Sequence, residues 1–110
     1  MQVEQLNILK VRLKFENGNY LVVCIMNDWY IYIVRCSDDS LYTGITKDID
    51  RRIDEHNNGS KGAAYTRSHR PVKLVYQESC NDRSEATVRE SEIKKLSKKE
   101  KELMIKKSVN

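Results

Sequence analysis

From Trp29 to Arg35 every residue is aromatic, β-branched or able to face both ways, in the manner of a strand inside a sheet. Ser37-Asp38-Asp39-Ser40 supplies a polar turn, and Leu41 to Gly44 reads as a short second strand. The two phenols of this hairpin, Tyr32 and Tyr42, constrain its register. Residues directly opposite in an antiparallel pair share a face. Tyr32 and Tyr42 therefore point the same way only if paired residue numbers sum to an even number. A two-residue loop at Asp38-Asp39 would separate them, whereas a three- or five-residue loop, or one bulge, would unite them.

Helical signals follow the hairpin. Thr46 or Asp48 can cap a helix running to about Asn57, and Asn57-Asn58-Gly59 is its stop signal. Ile49, Ile53 and His56 then lie along one side, with Arg52 and His56 as surface neighbours one turn apart. A loop from Gly59 to His69 leads to Pro71 and a third strand at Val72 to Tyr76. Asp82 with Glu85 resembles a capping box opening a helix to about Leu96, and Ser97 with Glu100 repeats the signature for a last charged helix ending near Lys107.

The first 28 residues read differently. Val11 to Phe15 alternates, Asn17-Gly18 is a turn dipeptide and Tyr20 to Val23 is a second apolar run, which together signal a hairpin. An isolated two-stranded hairpin is marginal in water. Residues 1 to 25 are thus either an accessory hairpin or a poorly ordered extension, the second being favoured, and Met26-Asn27-Asp28 would make a natural chain start.

With 110 residues, 39% of them hydrophobic and 33% charged, the chain suits one small domain with a single site. The net charge of +4 is consistent with a polyanionic partner, though many proteins without one share it. Cys24, Cys36 and Cys80 are odd in number and widely spaced, so neither a disulfide framework nor a zinc site is indicated. No apolar run approaches the roughly 20 residues that span a bilayer, and no secretory leader pattern opens the chain, which makes the cytoplasm the expected compartment and a membrane an unexpected partner.

Tyr32 stands ten residues before Tyr42 and Arg52 ten after it, His56 lies one helical turn beyond Arg52, and Glu90 sits on a later helix. Two phenols, a guanidinium, an imidazole and a lone carboxylate can activate water, hold a phosphate and bind one hard cation, as phosphodiester cleavage requires. Each residue has a plainer alternative. Tyrosine is a good strand former, Arg52 can be a solvated helix arginine, His56 can cap the C-terminal end of its helix, and Glu90 can be a partly exposed surface carboxylate. Between Arg51 and Arg52, the offset from Tyr42 and the spacing to His56 both select Arg52.

Tyr30-Ile31-Tyr32 and Tyr42-Thr43-Gly44, with Arg52, His56 and Glu90, give residues 29 to 107 a pattern that resembles the GIY-YIG nuclease domain, closest to its small stand-alone bacterial members. The resemblance implies an α/β fold with a small three-stranded antiparallel sheet flanked by helices. It implies that Glu90 holds one Mg²⁺ or Mn²⁺, that Arg52 binds the scissile phosphate, and that one phenol acts as general base while the other positions it. Gly44 would let the helix and the substrate backbone approach the strand closely. Tyr30 replaces the first glycine of the family name, Thr43 its second isoleucine, and Ile45 stands where some members carry lysine. Isoleucine cannot bind phosphate, so that task would fall to Lys47, Lys61 or Arg67, with the loop from Lys61 to Arg67 as the candidate substrate contact.

The reading that follows is a Mg²⁺-dependent nuclease cutting DNA, or RNA, by in-line attack of water. A small domain has little surface for sequence readout, so structure-selective or weakly specific cleavage is expected, with a partner protein as one possible source of specificity. The rival reading is a nucleic-acid-binding module that keeps the fold without efficient turnover. Under the nuclease reading Tyr32, Tyr42, Arg52, His56 and Glu90 should converge on one solvent-accessible concave surface.

Overall fold

The structure, a computed structural model, describes residues 8–14, 16–26 and 29–108. The expected chain start at Asn27-Asp28, and residues 1 to 7 of the N-terminal segment, lie outside the described residues. Strands β1 (Ile8–Lys14) and β2 (Tyr20–Met26) pair antiparallel, from Ile8 opposite Met26 to Lys14 opposite Tyr20, as a sheet of their own. Gly18, at φ 89, supplies the left-handed backbone of the turn between them.

The main sheet has the order β4-β3-β5, with β3 (Trp29–Arg35) central and both neighbours, β4 (Leu41–Thr46) and β5 (Lys73–Cys80), antiparallel to it. Helices α1 (Ile49–Asn58), α2 (Ala64–Arg67), α3 (Arg83–Lys94) and α4 (Lys98–Ser108) complete this α/β domain. The β3–β4 register runs from Tyr30 opposite Thr46 to Arg35 opposite Leu41, so every pair sums to an even number and a five-residue loop closes it. Within the loop the Asp39 N–H donates to the Cys36 carbonyl at 2.9 Å and the Cys36 N–H to the Ser40 carbonyl at 2.8 Å. Asp39 takes the left-handed conformation, at φ 72, which a short polar side chain tolerates better than a β-branched one. Tyr32 and Tyr42 consequently share a face.

Alternation along β3 divides the core in two. Ile31 and Ile33, both fully buried, face Cys80, Ala86, Ile93 and Ile105, which places α3 and α4 on that side. Each fully buried isoleucine contributes roughly 1.5–3 kcal/mol. Tyr32 and Val34 face the other way, towards Val72, Leu74, Ile49 and Ile53, so α1 covers the second side. Arg35 ties α4 back to the hairpin: its Nη1 and Nη2 donate to the Glu102 carboxylate at 2.7 and 2.8 Å, and Nη1 also reaches Asp39 at 3.0 Å.

Several boundaries differ from the sequence expectation. The third strand begins one residue later than expected and continues to Cys80, because Gln77, Glu78 and Ser79 pair with Tyr32, Ile31 and Tyr30. A bulge at Val75 shifts the register between Ile33 and Val34, and a polar run is no obstacle on an edge strand. Helix α3 stops at Lys94, two residues short of Leu96, because a new helix is nucleated immediately after it. There Ser97 Oγ accepts from the Glu100 N–H at 3.1 Å while the Glu100 carboxylate accepts from the Ser97 N–H at 2.8 Å, a reciprocal capping box. Asp48, not Thr46, caps α1. The expected loop after Gly59 contains the single turn α2. Cys36 and Cys80 are free thiols in the core, and among the described residues no helix is long and apolar enough to cross a membrane.

Because β1 and β2 form a separate sheet and both layers of the main core draw on residues after Met26, removal of residues 1 to 25 should leave a domain that unfolds cooperatively. Thermal denaturation of the shortened chain checks this. Loss of the cooperative transition would place the N-terminal hairpin in the core.

Candidate active site

The site begins with a side chain pointing inward from the central strand. Tyr32 is only 1% exposed, and its cross-strand partner is Gly44. A Cβ at Gly44 would lie 2.5 Å from the Tyr32 hydroxyl oxygen and 2.7 Å from Cζ. The phenol therefore lies across the strand in space that only glycine leaves open. The group that Gly44 admits here is the Tyr32 ring, which lies closer to it than the helix does.

Beneath the phenol is His56, fully buried on α1, with Nε2 2.7 Å from the Tyr32 hydroxyl. Its Nδ1 is 2.7 Å from Thr66 Oγ1, and that hydroxyl donates its one proton to the Ala63 carbonyl at 3.0 Å. Thr66 can then only accept from Nδ1–H. The imidazole is neutral with its proton on Nδ1, and Nε2 accepts the Tyr32 O–H; this assignment follows from the network. Burial disfavours the charged ring, Arg52 and Arg70 repel it and Glu55 opposes them, so His56 falls from 6.5 to about 4. Burial likewise pushes the Tyr32 phenol up to about 12, with the Arg52 guanidinium pulling against that shift and Tyr42 and Glu90 adding to it.

His56 is thus not the cap of its helix. That task falls to Arg70, whose Nε donates to the His56 carbonyl and whose Nη2 donates to the Gly59 carbonyl, a cation where the helix dipole favours one. Asn57 fastens the same end of α1 to the sheet: its side chain exchanges two bonds with the Val72 backbone, at 3.0 and 2.7 Å.

Arg52 reaches the rim of the site. Its Nη1 donates to Glu55 Oε1 and to the Lys61 carbonyl, both at 2.9 Å, and its side chain is 26% exposed. Tyr42, half-buried, sets its ring edge-on to His56 at 5.5 Å between centroids and parallel to Tyr65 at 6.1 Å. Glu90 comes from α3, on the opposite side of the sheet, and its carboxylate pairs with Lys94 at 3.2 Å. Its charge and that of Arg52 both act on the Tyr32 phenol, and the rings of Tyr32 and Tyr42 both lie against His56. One expectation fails: Tyr32 and His56 are buried, so they form a floor, and only Tyr42, Arg52 and Glu90 reach the surface.

The other expected contacts are more dispersed. Lys47 holds its ammonium 5.9 Å from the centre of the Trp29 ring. Lys61 is exposed and contributes its carbonyl to Arg52, while Arg67 turns back to the Ser60 carbonyl at 3.1 Å. Sequence reasoning missed Glu55 and Thr66. The i, i+3 spacing from Arg52 could have signalled Glu55; no local pattern marks Thr66, whose partner His56 is ten residues away across a loop.

Among the described residues no three His, Cys, Asp or Glu side chains gather at one point. A cation here would be held by Glu90, with water and phosphate oxygens completing its shell. A single carboxylate, 20% exposed, suits Mg²⁺, which dehydrates reluctantly and commonly uses one or two carboxylates, and the Lys94 ammonium now paired with it would give way to the cation.

Residues 28–103 match the family described as the GIY-YIG catalytic domain. A protein of Desulfotalea psychrophila named UPF0213 is 60% identical over 80 residues, 73% of each chain. A UPF0213 protein of Staphylococcus saprophyticus is 58% identical over 76 residues, covering 69% of this chain and 92% of its own. A solution NMR structure of a UPF0213 protein from Bacillus halodurans is 44% identical, covers 71% of this chain and 82% of its own, and superposes with a TM-score of 0.46.

Two expected outcomes concern the floor. Between pH 6.5 and 4 the unfolded chain binds a proton at His56 that the folded chain does not, so stability rises with pH through that window. About 3 kcal/mol, present in full above pH 6.5, should be lost as pH falls towards 4. Urea unfolding across that range should show this slope in the wild type and a flatter one in His56→Gln. Gly44→Ala, which drives a Cβ into a ring that has nowhere to retreat, should cost about 1–3 kcal/mol; a loss below about 0.5 kcal/mol would mean that the ring yields.

Proposed function

From the premise that this chain belongs to the GIY-YIG family, a family of nuclease domains, we propose that it is a metal-dependent endonuclease acting on DNA, and that Tyr42, Arg52 and Glu90 meet the substrate above a Tyr32–His56 floor. The observation that supports the reading is the buried Tyr32–His56 pair, with the Tyr42 ring set edge-on to the imidazole and the Arg52 guanidinium acting on both groups. A guanidinium, an accessible phenol and a largely buried carboxylate are what a phosphodiester needs at its phosphate, its attacking water and its counter-ion.

Arg52 binds the non-bridging oxygens of the scissile phosphate. Glu55 and the Lys61 carbonyl hold its guanidinium, so little side-chain entropy remains to be lost when phosphate arrives. Tyr42, the half-buried phenol that reaches the surface, accepts a hydrogen bond from the attacking water and orients it. The water oxygen bonds to phosphorus in line as the bond to the leaving oxygen breaks; one proton of that water passes through the Tyr42 hydroxyl to solvent, and the leaving oxygen takes a proton from solvent. Tyr32 keeps its proton and gives it to the hydrogen bond with His56 Nε2, which fixes the ring against which Tyr42 rests. Phosphate at Arg52 would also neutralise part of the positive charge that depresses His56. Mg²⁺ or Mn²⁺ at Glu90 would supply neutralisation of the charge that builds on the phosphate oxygens.

Glu90→Gln keeps volume but removes the charge that a divalent cation needs. Cleavage in Mg²⁺ should fall on the order of 100-fold or more, while folding and nucleic-acid binding persist. Arg52→Ala should lose cleavage to a similar extent and weaken binding as well, since it contacts phosphate. Cleavage of branched, single-stranded and duplex DNA by the wild type and both variants measures these effects. Equal rates for wild type and Glu90→Gln would remove Glu90 from the mechanism, and tight binding with no cleavage of any substrate would make the domain a binding module.

A further inference from the structure

Beside the site, a cleft of about 410 Å³ runs along the β4 edge and is lined by Leu41, Tyr42, Thr43, Tyr65, Lys94 and Lys101. It is continuous with the site, because Tyr42 belongs to both and Lys94 is the ion-pair partner of Glu90. Its ionic lining is two ammonium groups, Lys101 and the Lys94 that pairs with Glu90. A second cleft, of about 470 Å³, is lined by Glu78, Glu85 and Glu92 against the single cation Arg89, with Cys80 and Val88, and would repel a polyanion. Charge therefore distinguishes the two.

The aromatic wall is held in place by polar bonds rather than by the core. Tyr65 is 42% exposed and belongs to neither apolar cluster. Its hydroxyl donates to Ser40 Oγ at 2.7 Å, Ser40 donates to Asp38 at 2.5 Å, and the His69 ring stacks on Tyr65 at 4.2 Å and 13°. An aromatic fixed this way, with His69 and Tyr42 parallel to its ring, lowers the ordering cost of a ligand that packs against its exposed edge. Thr43, also in the lining, is 3% exposed, and among the described residues its hydroxyl has no hydrogen-bond partner, a state that costs about 1–3 kcal/mol.

We propose that this cleft takes one unpaired nucleotide of the substrate, with its base against the Tyr42–Tyr65 aromatic pair and its phosphate on Lys94 and Lys101. The proposal rests on the nuclease reading and narrows its substrate class to nucleic acid that is single-stranded next to the scissile phosphate. A volume of about 410 Å³ lies at the small end of the range for ligand sites, a size that suits one nucleotide. A base is free to pack against the tyrosine rings only where the strand is unpaired. The phosphate contacts thereby move from Lys61 and Arg67 to the opposite side of Tyr42.

The test is fluorescence anisotropy of the full chain with one labelled oligodeoxynucleotide, single-stranded and as a duplex, in EDTA so that binding is separated from cleavage. An oligoribonucleotide of the same sequence shows whether the sugar matters. The single strand should bind more tightly than the duplex. Tyr65→Ala should weaken single-strand binding roughly 5- to 100-fold and Tyr65→Phe should retain most of it. Lys101→Ala, a surface change that leaves the core untouched, should flatten the slope of log affinity against log salt by about 0.7. Duplex bound as tightly as single strand, or wild-type affinity and slope in both Tyr65→Ala and Lys101→Ala, would overturn the proposal. Parallel cleavage assays in Mg²⁺ separate the two readings. Single-strand binding with these variant effects but no cleavage keeps the cleft and refutes the nuclease, whereas cleavage with unaltered binding in both variants keeps the nuclease and refutes the cleft.

Discussion

An even register between β3 and β4 decides which side chains can meet in this molecule. With Tyr32 opposite Gly44 and Val34 opposite Tyr42, both phenols leave the sheet on the side of α1, and the ring of Tyr32 lies over the one residue that has no Cβ. Sliding the pairing by one residue would turn Tyr42 towards the isoleucine layer and place Thr43 under Tyr32. The five-residue loop sets that register. Its geometry depends on Asp39 accepting a positive φ, and Arg35 and Lys98 hold the Asp39 carboxylate at 3.0 and 3.1 Å.

The same face explains why the imidazole stays neutral. His56 has a proton acceptor on one side and a proton donor on the other, and neither can be exchanged without breaking the pair of bonds. Thr66 enforces this because its own proton is committed to Ala63. Near neutral pH this arrangement is a rigid support rather than a titrating base, and chemistry is left to the groups that reach solvent. Rigidity extends to Arg52, which is clamped by a carboxylate and a carbonyl from its own helix and the following loop.

The site lies where two layers come within reach of one another. Helix α1 packs on one side of the sheet and α3 on the other, yet α3 also lies against β4, the edge strand that carries Tyr42 and Gly44. An edge is where side chains from opposite faces can meet without crossing the sheet. It is also where an open cleft can form, and the neighbouring cleft continues along β4 between the aromatic pair and the lysines of α3 and α4.

The sequence by itself determined the central strand, the polar turn and the helix caps at Asp82 and Ser97. These depend on side-chain alternation, on turn chemistry and on contacts within one or two helical turns, all of which are local. It also fixed the parity condition on the hairpin, but not the loop that meets it. Tertiary structure decided the rest. Whether Tyr32 is exposed, which proton His56 carries, why Gly44 must be small and which lysines face the cleft depend on residues brought together by loop closure. Thr66 meets a ring ten positions away, and Lys94 and Lys101 line one cleft from two different helices. Burial and charge at such points are set by the packing of whole elements, and no periodicity in the chain encodes them.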